Sequence, residues 1–450
     1  MKFSLFSPLQ TSLYLAVSLL AVGTIRYADR FNHHNESNYQ SHSHQTDTQS
    51  YFQNSLNVFD PGLSQSSQSI ESVRYREVVA ATQDFLALLD EEQRTAITLS
   101  FDNPYRTRGF CYVLARCKDD YVGLRMSQLS PIQKIALNNV LMKSLSSAGY
   151  SRAIQTMNNE GLIGEMENAH RANPEKYQVV GSPLVPEWTP PPYRDGSEYF
   201  VAIFGEPDAA DSRLLAEPWG IRFEGHHLSF NLTFDGKGAQ PLVSAMPMFF
   251  GSSPMIVPAS PSPEEGEYRQ WQAQEGQQML HREAWLARSF LQALDAQAME
   301  QGAWSRLPDV VLAGGADVPL DAASYLEGEK PGIPVAELSP IQQRLLWDYA
   351  YEFLELQPNH EVDEEALKQS LAESRVWWFG DRDDEHGELY IRVQSDRYLI
   401  ELLQSNTFGV VSSEVEANHV HASFRDLESD WDHDSLGDHL SQHHASLVTP

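Results

Sequence analysis

Hydrophobic positions recur at helical spacing in two parts of the chain, and both parts open with the same five residues. The sequence Leu-Ser-Pro-Ile-Gln occurs at 129–133 and again at 338–342. In each copy the serine suits the N-cap, and the proline suits the first helical position, where its missing N–H costs nothing. Apolar residues follow at helical spacing: Ile132, Ile135, Val140 and Leu141 in the first copy, and Ile341, Leu345, Tyr349 and Phe353 in the second.

A second matching motif precedes these two helices. The pattern Phe-Leu-x-x-Leu-Asp occurs at 85–90 and at 290–295, within helical patterns. Its two copies are 205 residues apart, and the two copies of the pentapeptide are 209 residues apart. Because two motifs recur at nearly one offset, the sequence predicts an internal repeat.

Strand-like segments follow the helices in each half. They are YFVAIFG, WGIRF, HLSFNLTF and LVSAMPMFF in the first half, and VWWFG, ELYIRV, RYLIELL and HVHASF in the second. Turn residues such as Asp235-Gly236 and Ser395-Asp396 separate them, as in antiparallel hairpins. The predicted fold is α+β, with two pseudo-repeated halves, about 70–252 and 264–450, each a helical pair followed by an antiparallel β-meander. The alternative is one irregular α+β domain whose helix openings agree by coincidence.

Residues 1–30 predict a signal peptide or an N-terminal anchor. The apolar run at 12–25 is shorter than the roughly 20 residues that span a bilayer, and it suits the hydrophobic region of a secretory signal. Small residues at Ala21 and Gly23 suit cleavage after Gly23. We therefore expect an exported protein, periplasmic or extracellular, that contacts a membrane only if the segment stays uncleaved.

Residues 31–69 are rich in Ser, Gln, Asn and His and predict a disordered tether. Such a segment buries too little apolar area to offset its ordering entropy. Its histidines are best explained as solvated low-complexity sequence. The folded part is expected to extend from residue 70 to residue 450.

The charge balance narrows the possible partners. The chain of 450 residues has 32 Lys+Arg against 62 Asp+Glu, a formal net charge of −30. This excess of acid argues against nucleic-acid binding, which depends on clustered basic residues, and against electrostatic docking on anionic lipid. It favours the attraction of cations. The expected partners are a metal ion or a small molecule of unknown identity.

The two cysteines, Cys111 and Cys117, lie on one short segment. Their spacing differs from the C-x-x-C of a redox motif or zinc ribbon, and no second pair completes a zinc site. In an oxidising compartment they could close a small hairpin disulfide. The alternative is a pair of buried or idle thiols.

Four strings in the sequence resemble a known family. They are WGIRFEGHHLSFNLTF, AMPMFFG, WWFG and NHVHASFRD, and they resemble the domain-of-unknown-function family 3500. Its members share a Trp-Gly-x-x-Phe-x-Gly-His-His-Leu core, a capped helix containing Gln in each half, and a terminal His-x-His followed by aromatic-Arg-Asp. The resemblance runs roughly from Ser69 to the C-terminus and implies a largely bacterial, often exported group, but no activity. A Trp-rich element of the family is replaced here by the segment with Cys111 and Cys117.

Two histidine pairs are the candidate metal ligands. On a strand His419 and His421 point to the same face, because side chains alternate with period two. His226 and His227 are adjacent, so on a strand only one of their rings could join the same site. A pseudo-twofold arrangement of the halves would bring the pairs together. Neutral imidazole suits transition metals, and Zn or Cu is the expected ion.

Other polar residues near these pairs are weaker candidates. Glu224 precedes the first pair and is the candidate general base. Arg425-Asp426 follows the second pair and is most simply an ion pair or turn. His439 and His443 are spaced i, i+4 on a predicted helix, but the Glu of a zincin motif is missing between them.

Three familiar nucleotide-binding and catalytic motifs are missing from the sequence. The chain contains no G-x-G-x-x-G, no phosphate-binding P-loop and no G-x-S-x-G nucleophile elbow. Trp377-Trp378-Phe379 would suit a sugar-stacking platform, although a strand buried on both faces explains it more simply. Two functions stay open: an exported metal-dependent enzyme such as a hydrolase, and an exported module that binds a metal or ligand without catalysis.

Overall fold

The computed structural model describes residues 70–108, 121–172, 195–207, 218–234, 242–260, 269–305, 307, 332–358, 364–406, 417–428 and 430. The helices are α1 (Ile70–Ala87), α2 (Glu91–Ile97), α3 (Pro131–Ser144), α4 (Ser147–Ala172), α5 (Arg269–Gln274), α6 (His281–Gln292), α7 (Ala296–Gly302), α8 (Pro340–Glu355) and α9 (Glu364–Glu373). The strands are β1 (Thr98–Leu99), β2 (Leu124–Arg125), β3 (Phe200–Phe204), β4 (Trp219–Gly225), β5 (Leu228–Phe234), β6 (Leu242–Ser244), β7 (Met248–Ser252), β8 (Ile333–Pro334), β9 (Arg375–Gly380), β10 (Leu389–Gln394), β11 (Tyr398–Ser405) and β12 (His419–Asp426).

These strands form one sheet, which confirms the predicted α+β class. The order is β1-β3-β4-β5-β7-β12-β11-β10-β9-β8, with β2 on β3 and β6 on β5. Pairing is antiparallel except between β1 and β3. At the middle, β7 pairs with β12 and Phe250 lies opposite Ala422. The boundary between β7 and β12 therefore divides the sheet: β7 and the other strands of the first predicted half lie on one side of it, and β12 and the other strands of the second half lie on the other. That the halves superpose stays a prediction.

One face of the sheet packs against the helices and forms the main core. Because side chains alternate along each strand, this face collects apolar residues, each worth about 1.5–3 kcal/mol when fully buried. Its members include Ile221, Phe223, Phe230, Phe250, Ile391, Val420 and Phe424, and the helices contribute Phe85, Leu137, Phe290 and Tyr349.

The opposite face of the sheet is also buried, and it combines small apolar clusters with many polar residues. Its strand residues include Arg222, Glu224, Ser229, Asn231, Arg392, Glu401, His421, Ser423 and Arg425. Polar groups that are removed from water need hydrogen-bonding or charged partners. An ion or polar ligand bound at this face would find such partners, so its burial there costs less free energy than in the apolar core. The predicted ligand His421 lies on this face, on one of the two central strands.

Both copies of the pentapeptide begin a helix, as predicted. The amide of Ser130 donates to Gln133 Oε1 at 2.8 Å, and the amide of Ser339 donates to Gln342 Oε1 at 2.7 Å. Each glutamine thus satisfies a backbone donor at the start of its helix, in the manner of a capping box.

The predicted apolar faces of these helices are partly wrong. Ile132, Ile135 and Ile341 are 57%, 66% and 72% exposed. The inward position is taken by Gln133, whose Nε2 donates to the carbonyl of Leu88 at 2.9 Å. Because Gln133 caps its own helix and also bonds to the segment that follows α1, its side chain must point inward. The adjacent Ile132 is therefore turned towards solvent.

The aromatic run on β9 is a buried strand, which confirms the simpler explanation. Trp377 is 1% exposed and Trp378 is 0% exposed. Trp378 belongs to the main core, whereas Phe379 packs on the other face against Tyr390 and Leu403. Two tryptophans that are this deeply buried offer no open stacking surface for a sugar.

Several predictions from sequence concern residues outside the described ranges. These are residues 1–69, the pair Cys111 and Cys117, Asp235-Gly236, and the tail histidines with His439 and His443. In the described part of the chain, no helix is both long enough and apolar enough to cross a membrane.

Candidate metal centre

His226 and His227 form the two-residue turn between β4 and β5. His227 has a φ of 63°, in the left-handed region that such tight hairpin turns use. The turn is fixed by Tyr199, whose hydroxyl donates to the carbonyl of His226 at 2.9 Å, and by the amide of Gly251, which donates to the carbonyl of His227 at 2.8 Å. The assumption that the pair lies on a strand is therefore wrong, but only one of the two rings, that of His227, groups with His419 and His421, as expected. Strand alternation does not apply within the turn, and the ring centroids lie 3.6 Å apart.

His419 and His421 lie on one face of β12, as predicted. Their Nε2 atoms are 3.0 Å apart, and Nε2 of His419 is 3.1 Å from Nε2 of His227. One ligand atom from each of these three histidines falls within 4.8 Å of the other two. The sheet thus brings a turn histidine from the first half against a strand pair from the second half.

Gly251 makes room for these rings. It lies directly opposite His421 in the pairing of β7 with β12. A Cβ atom at this position would lie 2.6 Å from His421 Cδ2 and 2.7 Å from His227 Cδ2. Both contacts are far shorter than carbon atoms tolerate, about 3.5–4.0 Å. Any larger residue here would push the two imidazoles apart.

A carboxylate from α4 completes the cluster. Both oxygens of Glu160 lie 2.7 Å from Nδ1 of His226, and Oε2 lies 3.5 Å from Nδ1 of His227. Glu160 is 1% exposed. Its neighbour Asn159 donates to the carbonyl of Pro254 at 3.2 Å, which holds this turn of α4 against the chain just after β7. Glu160, His226 and His227 form a second group of candidate ligands beside the first.

Burial favours the neutral form of two of these imidazoles. It lowers the pKa of His227 well below the usual value, and the neighbouring His226 lowers it further, while Glu160 acts in the opposite direction. Burial and the imidazoles of His419 and His227 lower the pKa of His421 in the same way. A neutral imidazole has a lone pair, which is the form that binds a metal ion.

Hydrogen bonds among the three Nε2 atoms do not explain their spacing well. Nε2 of His419 approaches both His227 and His421, yet one ring nitrogen either donates a single proton or accepts through a single lone pair. Coordination of one metal ion would account for both distances at once. With metal–nitrogen bonds of about 2.0–2.1 Å, nitrogens at the tetrahedral angle lie about 3.3 Å apart. The observed 3.0 and 3.1 Å are close to that value.

The candidate base Glu224 lies in a different setting. It is 3% exposed, and its carboxylate accepts from Arg222 at 2.7 Å. It belongs to neither group of candidate ligands among the described residues. Its catalytic role stays a prediction.

Arg425 and Asp426 form ion pairs, but not with each other. Arg425 binds Asp430 at 2.6 Å, and Asp426 binds Arg397 at 3.0 Å. They stabilise the end of β12, at the opposite end of the strand from the two histidines.

Comparison with known proteins agrees with the resemblance seen in the sequence. A family model described as "Protein of unknown function (DUF3500)" matches residues 71–433. The chain belongs to the DUF3500 family. All five residues of the two ligand groups in this DUF3500 chain lie within the matched range. No curated protein and no solved structure shows significant similarity to it.

Sequence reasoning missed Glu160 and Gly251. Glu160 is 66 residues from His226 along the chain, on a helix with no motif around it. Gly251 follows two phenylalanines in the string AMPMFFG, which carries part of the family resemblance but no metal-ligand motif. A glycine within an apolar strand is itself a signal that another group approaches the backbone closely.

Proposed function

We propose that this DUF3500 protein binds a transition-metal ion through Nε2 of His227, His419 and His421, and that the ion serves metal-dependent hydrolysis of a small molecule. The observation that carries the proposal is the convergence of three imidazole Nε2 atoms, with neighbouring separations of 3.0 and 3.1 Å. Zn or Cu fits this donor set, since both bind neutral imidazole readily.

The presence of three converging histidine nitrogens favours a catalytic, hydrolytic metal site. Catalytic zinc sites commonly use three protein ligands and keep one position for water, whose pKa falls to about 7 on the metal. The rings of His227 and His421 are buried, while His419 is half-buried. We therefore assign the water and substrate position to the side of His419.

A metal-binding module without catalysis is the second candidate. It is supported by the burial of His227 and His421, 1% and 8% exposed, and by the ion pair that already engages Glu224. A closed site with no free base would bind an ion and do no chemistry. Hydrolysis of a panel of ester, amide and phosphate substrates by the metal-loaded chain, abolished by a chelator, would decide for the enzyme.

Metal retention by the full chain, purified without a histidine tag, tests the proposal. We expect the parent to retain Zn or Cu after dialysis, and the double variant His419→Ala/His421→Ala to retain one equivalent less, measured by elemental analysis. His281→Ala is the matched control, because His281 is exposed at the start of α6 and outside both ligand groups. A parent that holds no metal, or a double variant that holds as much as the parent, would refute the site.

We also propose that residues 12–25 direct export. The apolar run, its length and the small residues before Thr24 support this. Mass spectrometry of the protein expressed in its own host should find a mature N-terminus near Thr24, outside the cytoplasm. Met1 intact in a soluble cytoplasmic fraction would contradict export, and Met1 intact in the membrane fraction would select the anchor.

We propose, finally, that the two halves are structural repeats. Gln133 Nε2 donates to the carbonyl of Leu88, and Gln342 Nε2 donates to the carbonyl of Ala293, each at 2.9 Å. The donors are 209 residues apart and the acceptors 205, which are the same offsets as those of the sequence motifs.

Equivalent positions should have equivalent energetic roles. Gln133→Ala and Gln342→Ala should each lower the free energy of unfolding by about 1–2 kcal/mol, because each removes a cap and a hydrogen bond to the neighbouring helix end. Urea unfolding of both variants measures this. A loss at one position with no change at the other would argue against the repeat.

A further inference from the structure

Two groups of candidate ligands share one residue, His227. Its Nε2 faces His419, and its Nδ1 faces Glu160. The two ring nitrogens of an imidazole point in different directions, so one ring can contact two separate ions. This sharing raises the question of whether Glu160 only orients His227 or binds an ion itself.

The distances argue against a purely orienting role for Glu160. A carboxylate that orients a ligating histidine accepts a hydrogen bond from its second nitrogen. Here Oε2 lies 3.5 Å from Nδ1 of His227, longer than the 2.7–3.2 Å of a good hydrogen bond. That separation is close to the spacing of about 3.3 Å between two ligands of one ion.

His226 brings a third candidate ligand to the same place. Its Nδ1 lies 2.7 Å from both Glu160 oxygens, so the two side chains contact each other directly. One ligand atom from each of Glu160, His226 and His227 falls within 4.8 Å of the other two. A buried carboxylate is stabilised by opposite charge, which a metal ion supplies.

We propose that Glu160, His226 and Nδ1 of His227 hold a second transition-metal ion, and that His227 bridges the two ions. This inference rests on the proposed function, since the first ion occupies the three-histidine centre. On binding of the second ion the N–H proton of His227 passes to solvent, and the ring bridges as an imidazolate. The class of ion is a divalent one that tolerates mixed nitrogen and carboxylate ligands, such as Cu²⁺ or Zn²⁺.

Copper loading of the full-length, tag-free chain tests the second site. The parent should hold two site-bound copper ions, and electron paramagnetic resonance should detect fewer spins than copper atoms, because an imidazolate couples two Cu²⁺ ions. Glu160→Gln, which keeps the size of the side chain and removes its charge, should hold one copper fewer and show the full signal of an isolated ion.

Matched variants separate the possible outcomes. Glu165→Gln alters a carboxylate on the same helix that accepts the Trp271 amide instead of an imidazole, and it should behave as the parent. His226→Gln gives an independent test if Glu160→Gln does not fold. Equal copper in the parent, Glu160→Gln and His226→Gln, with no coupled spins in the parent, would overturn the second ion and leave the three-histidine centre standing. A parent without bound copper would overturn both.

Discussion

Gly251→Ala is expected to weaken metal binding at least tenfold and to lower the free energy of unfolding by about 1–3 kcal/mol. The new methyl carbon would lie 2.6 Å from His421 Cδ2 and 2.7 Å from His227 Cδ2, so both rings must move. These two rings belong to the three-histidine centre, and their shift separates nitrogens that must converge. Competition with a chromogenic zinc chelator measures the affinity, and urea unfolding measures the stability.

Gly276→Ala is the matched control for this substitution. Gly276 has a φ of 77°, so alanine there is strained, but a Cβ atom at that position meets nothing within 4 Å. We expect this variant to lose stability and to keep its metal affinity. If Gly251→Ala bound zinc as tightly as the parent, the rings would have adjusted without cost and the packed arrangement of the centre would be wrong.

His227→Ala is expected to have the largest effect on metal-linked stability, because His227 belongs to both ligand groups. For the parent, free zinc at 100 times its dissociation constant should raise the free energy of unfolding by about 2.7 kcal/mol per site. Without His227 the first centre keeps two histidines and the second keeps Glu160 and His226, so this stabilisation should be almost lost. Denaturant unfolding with zinc and with a chelator measures the difference.

The control for His227→Ala is again His281→Ala, which removes an exposed imidazole outside both groups. It should be stabilised by zinc as strongly as the parent. Zinc-linked stabilisation of His227→Ala equal to that of the parent would place the bound ion elsewhere in the chain.

The sequence was sufficient to predict one part of the site and insufficient for the rest. Period-two alternation correctly placed His419 and His421 on one face, because alternation is a property of any regular strand. The same rule does not apply to His226 and His227, because they lie in the turn, although only His227 groups with His419 and His421, as the rule had suggested. Glu160 could not be predicted, since only tertiary packing brings α4 to that turn.

Strand pairing explains why Gly251 was missed as well. The register that places Gly251 opposite His421 joins strands from the two predicted halves, 170 positions apart. A single sequence determines which residues share a face of one strand but does not determine the register between distant strands. The strands β3 to β7 and β9 to β12 and both capped helices were predicted, because their signals are local, whereas the two-residue strands β1, β2 and β8 were not. The inward Gln133 reversed the expected exposure of Ile132, since its partner Leu88 is not local.

A crystal structure of the zinc-loaded chain, with anomalous diffraction recorded at the zinc edge, tests the central claim most directly. Anomalous scattering locates zinc independently of the protein model. We expect a peak about 2.0–2.1 Å from Nε2 of His227, His419 and His421. Zinc-loaded crystals without a peak among these three nitrogens, or with zinc only on other histidines, would contradict it.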